Sequence, residues 1–209
     1  VPPNLTSEPE MLSTIGITAG DPAGIGLEVV LKAIPPLLEE ANWVLFADQD
    51  AFRLTLERCA PSLPGSRASR RGSPASRMAA GNPTGLLVHD LGSNDTPVDP
   101  GRGNPATGKR ALFALETASQ TILDGHLDAI VTAPVNKRLV GEDFRGQTEF
   151  LAERAGVGRI AMSFFTPTFK VVLATTLTLT SGNCGNFDRR LCRIDPLHRH
   201  RVPTAPVPC

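Results

Sequence analysis

A short apolar, β-branched run from Ser13 to Thr18 breaks off at Ala19-Gly20-Asp21-Pro22-Ala23-Gly24-Ile25-Gly26. The pattern predicts a strand that ends in a glycine-rich turn. Beyond it, Leu27, Val30, Leu31 and Ile34 recur at helical spacing until Pro35-Pro36 stops them. A buried strand that feeds a helix through so tight a connection opens a parallel, layered arrangement, and the alternation continues. Trp43 to Ala47 reads as a second buried strand, Asp50 to Cys59 as a helix, and Leu86 to Val88 as a further strand. The fold class expected is α/β.

Between the helix that ends at Cys59 and the strand at Leu86 the pattern changes. Residues 61–83 are rich in Ser, Arg, Pro and Gly, lack acidic side chains and show no apolar period. They are expected to form a low-order interval. After a turn-rich stretch through Asn104-Pro105, Ala111, Leu112, Leu115, Ala118, Ile122 and Leu123 mark one stripe of a long helix, with Thr107 as its cap and Gly125 as its stop. Asp128 to Thr132 is expected to be a buried strand, by its β-branched content. It leads into Ala133-Pro134-Val135-Asn136-Lys137, polar groups at a strand's C-terminal end, where ligands bind in open α/β sheets. Thr148 to Ala155 reads as a helix, and Ile160 to Phe165 and Lys170 to Thr175 as strands.

Composition narrows the function classes. Lys plus Arg and Asp plus Glu number 21 each, which gives no general electrostatic case for nucleic acid or for an anionic membrane surface. One basic run, Arg67 to Arg77, lacks the interleaved aromatic residues of a single-strand binder. No run approaches the roughly 18 apolar residues of a membrane span, and residues 1–10 do not resemble a signal sequence, so a cytoplasmic location is expected. Cys59, Cys184, Cys192 and Cys209 form no CxxC pair and read as free thiols. His89, His126, His198 and His200 are too dispersed for a zinc site.

Three segments together carry a family resemblance: ITAGDPAGIGLEVVLKA, then GRGNPATGKRALFALETA with DAIVTAPVNK, then GQTEFLAERAGV followed by AMSFF and VVLATT. In order and spacing they resemble the 4-phosphohydroxy-L-threonine dehydrogenase family of vitamin B6 biosynthesis, over most of the chain from Ile15 to Thr176, less the arginine- and serine-rich interval. The resemblance implies an isocitrate and isopropylmalate dehydrogenase-like α/β fold, here incomplete, and a homodimer. It implies NAD and a divalent metal as cofactors, and a phosphorylated hydroxy acid as substrate. The secondary alcohol would be oxidised and the resulting β-keto acid would lose carbon dioxide to give an amino-ketone phosphate, with a metal to polarise the oxygen. On this basis residues 1–176 are expected to be the N-terminal part of the dehydrogenase fold, and 177–209 an irregular, disordered tail outside the family.

The resemblance also marks residues. Gly20, Asp21, Gly24 and Gly26 would form a loop on the active-site rim, although the spacing suits an ordinary strand-to-helix turn as well as an anion cradle. The loop is neither GxGxxG nor a P-loop. Lys137 would carry charge to a phosphate or carboxylate, or act as an acid or base; without the family it is a solvated loop lysine. Where the family has GHTEF, with a histidine and a threonine on the substrate, this chain has Gln147 and Thr148. Glutamine hydrogen-bonds but does not carry the imidazole's charge. Where the family has a metal-binding histidine after ATT, this chain has Leu177, which cannot ligate.

From Leu177 the helix and strand periods cease. Leu-Thr-Leu-Thr can be written CTC ACA TTG ACN, and a one-base shift reads CAC ATT GAC, His-Ile-Asp, which restores a histidine directly after ATT. A frame lesion near Leu177 is therefore one expectation. Two others stand beside the dehydrogenase: a catalytically inactive fragment of it, or a relative that acts on another phosphorylated hydroxy acid.

Overall fold

The computed structural model describes residues 12–59, 67–69, 85–92, 97–158 and 160–173. They divide into two compact units, one running to Val157 and the other beginning at Gly158.

The first unit is a parallel five-stranded sheet with helices on both faces. Its elements are β1 (Thr14–Thr18), α1 (Gly26–Ala33), β2 (Asn42–Ala47), α2 (Gln49–Cys59), β3 (Arg67–Ser69), β4 (Gly85–Asp90), α3 (Pro105–Leu123), β5 (Ala129–Thr132), α4 (Lys137–Val140) and α5 (Gln147–Arg154). The strand order is β3-β4-β2-β1-β5, and all four pairings are parallel. In β2, successive side chains serve opposite faces, as the pleat requires. Trp43, Leu45 and Ala47 pack with Leu27, Leu31 and Phe52 from α1 and α2. Val44 and Phe46 pack with Ala114 and Ala118 of α3, on the other face. A strand buried on both faces reads as a continuous apolar run, and NWVLFA does.

Helix α3 is the longest element, and its start differs from the one expected. Asn104, not Thr107, is the cap: its side chain accepts hydrogen bonds from the Ala106 and Thr107 amides at 2.9 and 3.1 Å. Thr107 is the third helical residue, and its Oγ1 accepts from the Asn104 amide at 3.0 Å, closing a capping box with Pro105 as first residue. The stop at Gly125, with φ +77°, is as expected.

Within the interval 61–83 the described residues form a three-residue strand, Arg67–Ser69, paired with Leu87–His89. One further difference follows from sheet topology. The strand expected to be buried, β5, alternates exposed and half-buried residues, with Val131 51% exposed. It pairs only with β1 among the described residues, so its β-branched side chains stand at a sheet edge.

The second unit is described only as an antiparallel hairpin of β6 (Ser163–Phe165) and β7 (Lys170–Val172). Its turn is held by Thr166, whose Oγ1 accepts from the Phe169 amide at 2.9 Å. The expected disordered tail, Leu177, His198, His200 and three of the four cysteines lie outside the described residues. Among the described residues no helix is long and apolar enough to cross a membrane.

Candidate functional site

The chain leaves β1 toward β2 on one side and returns on the other side as β5, so the sheet has a topological switch point between β1 and β5. In open α/β sheets ligands bind in the crevice outside the carboxyl ends of the strands at such a point. Here the two loops in question are residues 19–25 after β1 and 133–136 after β5, and they touch. The Asp21 amide donates to the Pro134 carbonyl at 3.3 Å.

Two glycines make that approach possible. Gly20 has φ +73°, and a Cβ there would collide with the Pro134 carbonyl oxygen. At Gly26 a Cβ would collide with the Ala19 carbonyl oxygen. The loop also satisfies its own amides. Asp21 Oδ1 accepts from the Ala23 amide at 3.0 Å, and the Asp21 carbonyl from the Gly24 amide at 2.8 Å. The amides of residues 21, 23 and 24 are thus engaged, and the glycines answer to close packing of strand, helix and the 133–134 backbone. Of the two readings open at the level of spacing, the tight connection accounts for these contacts.

Around the loops lies a crevice of about 980 Å³. Asp21, Gly24, Gly103 and Asn136 line it, together with two cations that sequence reasoning did not single out, Arg58 and Arg102. The signal for Arg102 was its place between Gly101 and Gly103, directly before the Asn104 cap; Arg58 carried none, being one of several charges on α2. Arg102 lies 3.8 Å from Asp99 in an exposed pair that leaves the guanidinium open to an anion. Glu28, also on the crevice wall, has its carboxyl held below the usual range by the hydrogen bond from Lys32 and by that residue's charge, with Arg58 a smaller contributor.

The other sequence-marked residues sit beside the crevice and outside its lining. Gln147, at the start of α5, donates through Nε2 to the Ala133 carbonyl at 3.3 Å, tying α5 to the end of β5. Its Oε1 is buried with no hydrogen-bond partner among the described residues. Thr148 follows it, half-buried in the first helical turn. Lys137 is exposed, and its Nζ donates to the Arg145 carbonyl at 2.8 Å, bracing the loop that precedes α5. Asn136 caps the four-residue helix α4 by accepting from the Arg138 amide at 3.2 Å. The structure therefore gathers Gly20, Asp21, Gly26 and Gln147 about residues 133–134, with Gly24 beside Asp21 on the crevice wall, while Lys137 is turned to the 141–146 loop.

The cofactors implied by the family find little support in these residues. No group of three His, Cys, Asp or Glu side chains that could hold a metal occurs among the described residues. Leucine at 177 offers no donor atom. In dinucleotide folds an acidic residue soon after the glycine-rich turn takes the ribose hydroxyls. Asp48, at the end of β2, occupies a comparable place, but its Oδ1 accepts from the Asp50 and Ala51 amides and its Oδ2 lies 3.0 Å from Arg110 Nη1. The described residues do not fit a metal centre or a Rossmann-type NAD site.

Comparison with known proteins gives a consistent picture. Residues 39–180 match the family model described as pyridoxal phosphate biosynthetic protein PdxA. The chain is 38% identical over 172 residues to the 4-hydroxythreonine-4-phosphate dehydrogenase of Chromobacterium violaceum, covering 78% of this chain and 48% of that protein. It is 33% identical over 170 residues to the Aquifex aeolicus enzyme of the same name, covering 79% and 50%. Among solved structures, the 4-hydroxythreonine-4-phosphate dehydrogenase of Klebsiella pneumoniae superposes with TM-score 0.66 at 29% identity, covering 80% of this chain and 52% of that one. The Burkholderia phymatum enzyme gives 0.65 at 30%, covering 79% and 50%. These neighbours bear out the expected dehydrogenase-type α/β fold. The chain spans about half the length of the curated relatives it matches.

Proposed function

Since the chain belongs to the pyridoxal phosphate biosynthetic protein PdxA family, we propose that the protein acts as an NAD-dependent 4-phosphohydroxy-L-threonine dehydrogenase, giving an amino-ketone phosphate for pyridoxal phosphate synthesis. The observation that carries the reading is the meeting of the family-like loops at the switch point, where the Asp21 amide reaches the Pro134 carbonyl. On this reading the crevice receives the substrate. Arg58 and Arg102 supply charge for its phosphate, which a guanidinium fork suits well. Gln147 and Thr148 present hydrogen-bonding groups at the mouth of α5, and Lys137 holds the loop that sets them. The reading also carries a homodimer in the cytoplasm, and it takes residues 1–176 as the N-terminal part of the enzyme.

The described residues fit neither the metal nor NAD. That misfit favours a second reading, in which this chain retains the family's fold and substrate loops but does not turn over; Leu177, where the resemblance implies a metal-binding histidine, supports it. The test is NAD reduction followed by absorbance, with 4-phosphohydroxy-L-threonine and a divalent metal, beside calorimetric titration of the substrate alone. Turnover at an ordinary enzymatic rate supports the first reading. Binding without turnover supports the second. Absence of both, with binding of a different phosphorylated hydroxy acid, would place the chain with a relative of altered specificity.

A further inference from the structure

A second cavity, of about 260 Å³, lies at the carboxyl ends of β1, β2 and β4, walled on one side by α3. Pro22 lines both this cavity and the switch-point crevice, but the other lining residues differ. We propose that it binds a small organic anion with a flat apolar body, the acid group held by Lys109 and the ring laid against Phe113. The proposal stands independently of the dehydrogenase reading, because it uses none of the residues invoked there.

Size restricts the ligand first. Pockets for drug-sized molecules run from about 300 to 1,000 Å³, so this cavity suits a single ring with one acid group. Its floor is apolar, formed by the fully buried Phe46 and by Leu27. Phe113 lines the wall while remaining 50% exposed, a large aromatic surface that its own fold does not cover. Gly92, with φ +84°, has no atom within 4 Å of a notional Cβ, which leaves room for a ligand to approach the backbone.

Charge restricts it next. Arg110 and Asp48 both line the cavity, and their ion pair of 3.0 Å, with side chains 9% and 4% exposed, cancels locally. Asp48 is further compensated by the two amides of α2 that it accepts. Lys109 also lines the cavity and forms no ion pair among the described residues. Among the described residues the uncompensated charge is therefore positive and lies beside apolar walls. An anion without an apolar body would leave Phe113 wet, and an apolar molecule without charge would leave Lys109 unmatched.

The full chain is titrated calorimetrically with phenyl phosphate, benzoate and inorganic phosphate. Phenyl phosphate and benzoate are expected to saturate with a Kd on the order of a millimolar or tighter, and inorganic phosphate to bind at least ~10-fold more weakly. Lys109→Gln and Phe113→Ser, both at exposed positions, should each weaken phenyl phosphate at least ~10-fold. Lys170→Gln, on the β6–β7 hairpin and in neither cavity, should leave it unchanged. The proposal is overturned if the aromatic anions do not saturate, if inorganic phosphate binds as tightly, if either cavity variant binds like the parent, or if Lys170→Gln weakens binding as much as they do.

Discussion

Arg110 Nη1 lies 3.0 Å from Asp48 Oδ2 across the top of the sheet, joining α3 on one face to the start of α2 on the other. Taking one partner away leaves a buried charge, which typically costs about 3–5 kcal/mol. Arg110→Met is expected to destabilise toward the lower end of that range, because two α2 amides still compensate Asp48. The double variant Arg110→Met/Asp48→Asn, which keeps a capping oxygen, should regain most of the loss. Urea denaturation of the set measures this; a double variant no better than the single one would show that the pair is not the seat of the effect.

Gly20 and Gly92 both have positive φ, yet they should not respond alike to alanine. At Gly92 the Cβ meets open space, so only the backbone conformation is penalised, by about 1 kcal/mol. At Gly20 the Cβ also strikes the Pro134 carbonyl, so Gly20→Ala should lose clearly more stability and separate the two loops of the crevice. Thermal melts rank the two, and equal losses would mean that the close approach at Pro134 relaxes freely.

His89 gives the fold a pH dependence. Burial, with the ring edge-on to Phe46 at 5.3 Å, lowers its pKa below the ordinary 6.5, and the charge of Asp90 opposes this only in part. A lowered histidine pKa means that the unfolded chain binds the proton more readily. Stability from this group is therefore whole above the unfolded-state value and falls as pH drops below it. The urea midpoint should be lower at pH 5.5 than at pH 7.5 by more in the parent than in His89→Gln. An identical pH response in both would assign the effect to other groups.

Gln147 is the most direct probe of the substrate reading. Restoring the family's residue with Gln147→His should tighten 4-phosphohydroxy-L-threonine by about tenfold, the worth of one charge-assisted contact of roughly 1.4 kcal/mol. Calorimetry below pH 6.5, where an unperturbed imidazole is cationic, is the measurement. Unchanged affinity would leave Gln147 as a strut between α5 and Ala133 and nothing more.

Where apolar period and turn chemistry agree, the sequence places elements within a residue or two, as at β1, α1, β2 and the C-terminus of α3. It misplaces the start of α3 because Pro105 reads as a breaker when it stands as a first helical residue after Asn104. It assigns burial to β5 because β-branched content reports strand propensity; which strands flank it is set by chain elsewhere. The strand at Arg67–Ser69 has no local signal at all. At the site, the glycine loop and Gln147 are visible through the family motif, whereas Arg58 and Arg102 reach the crevice only because α2 and the 97–104 segment fold against the first loop. Lys137 was marked by its motif, and its contact with the Arg145 carbonyl depends on a loop that no pattern in TAPVNK announces.

The sheet order has a consequence for the route of folding. Ile15 pairs with Trp43 on one side and with Ala129 on the other. Closing a loop of about 115 residues instead of about 30 costs roughly 1.2 kcal/mol more in chain entropy, two doublings of length. The β1–β2–β4 layer should therefore assemble early and β5 dock late, guided by contacts such as the Thr14 amide to Asp128 Oδ2 at 2.7 Å. The crevice exists only after that last docking, so a ligand bound between residues 21 and 134 would slow the reopening of the youngest joint in the sheet.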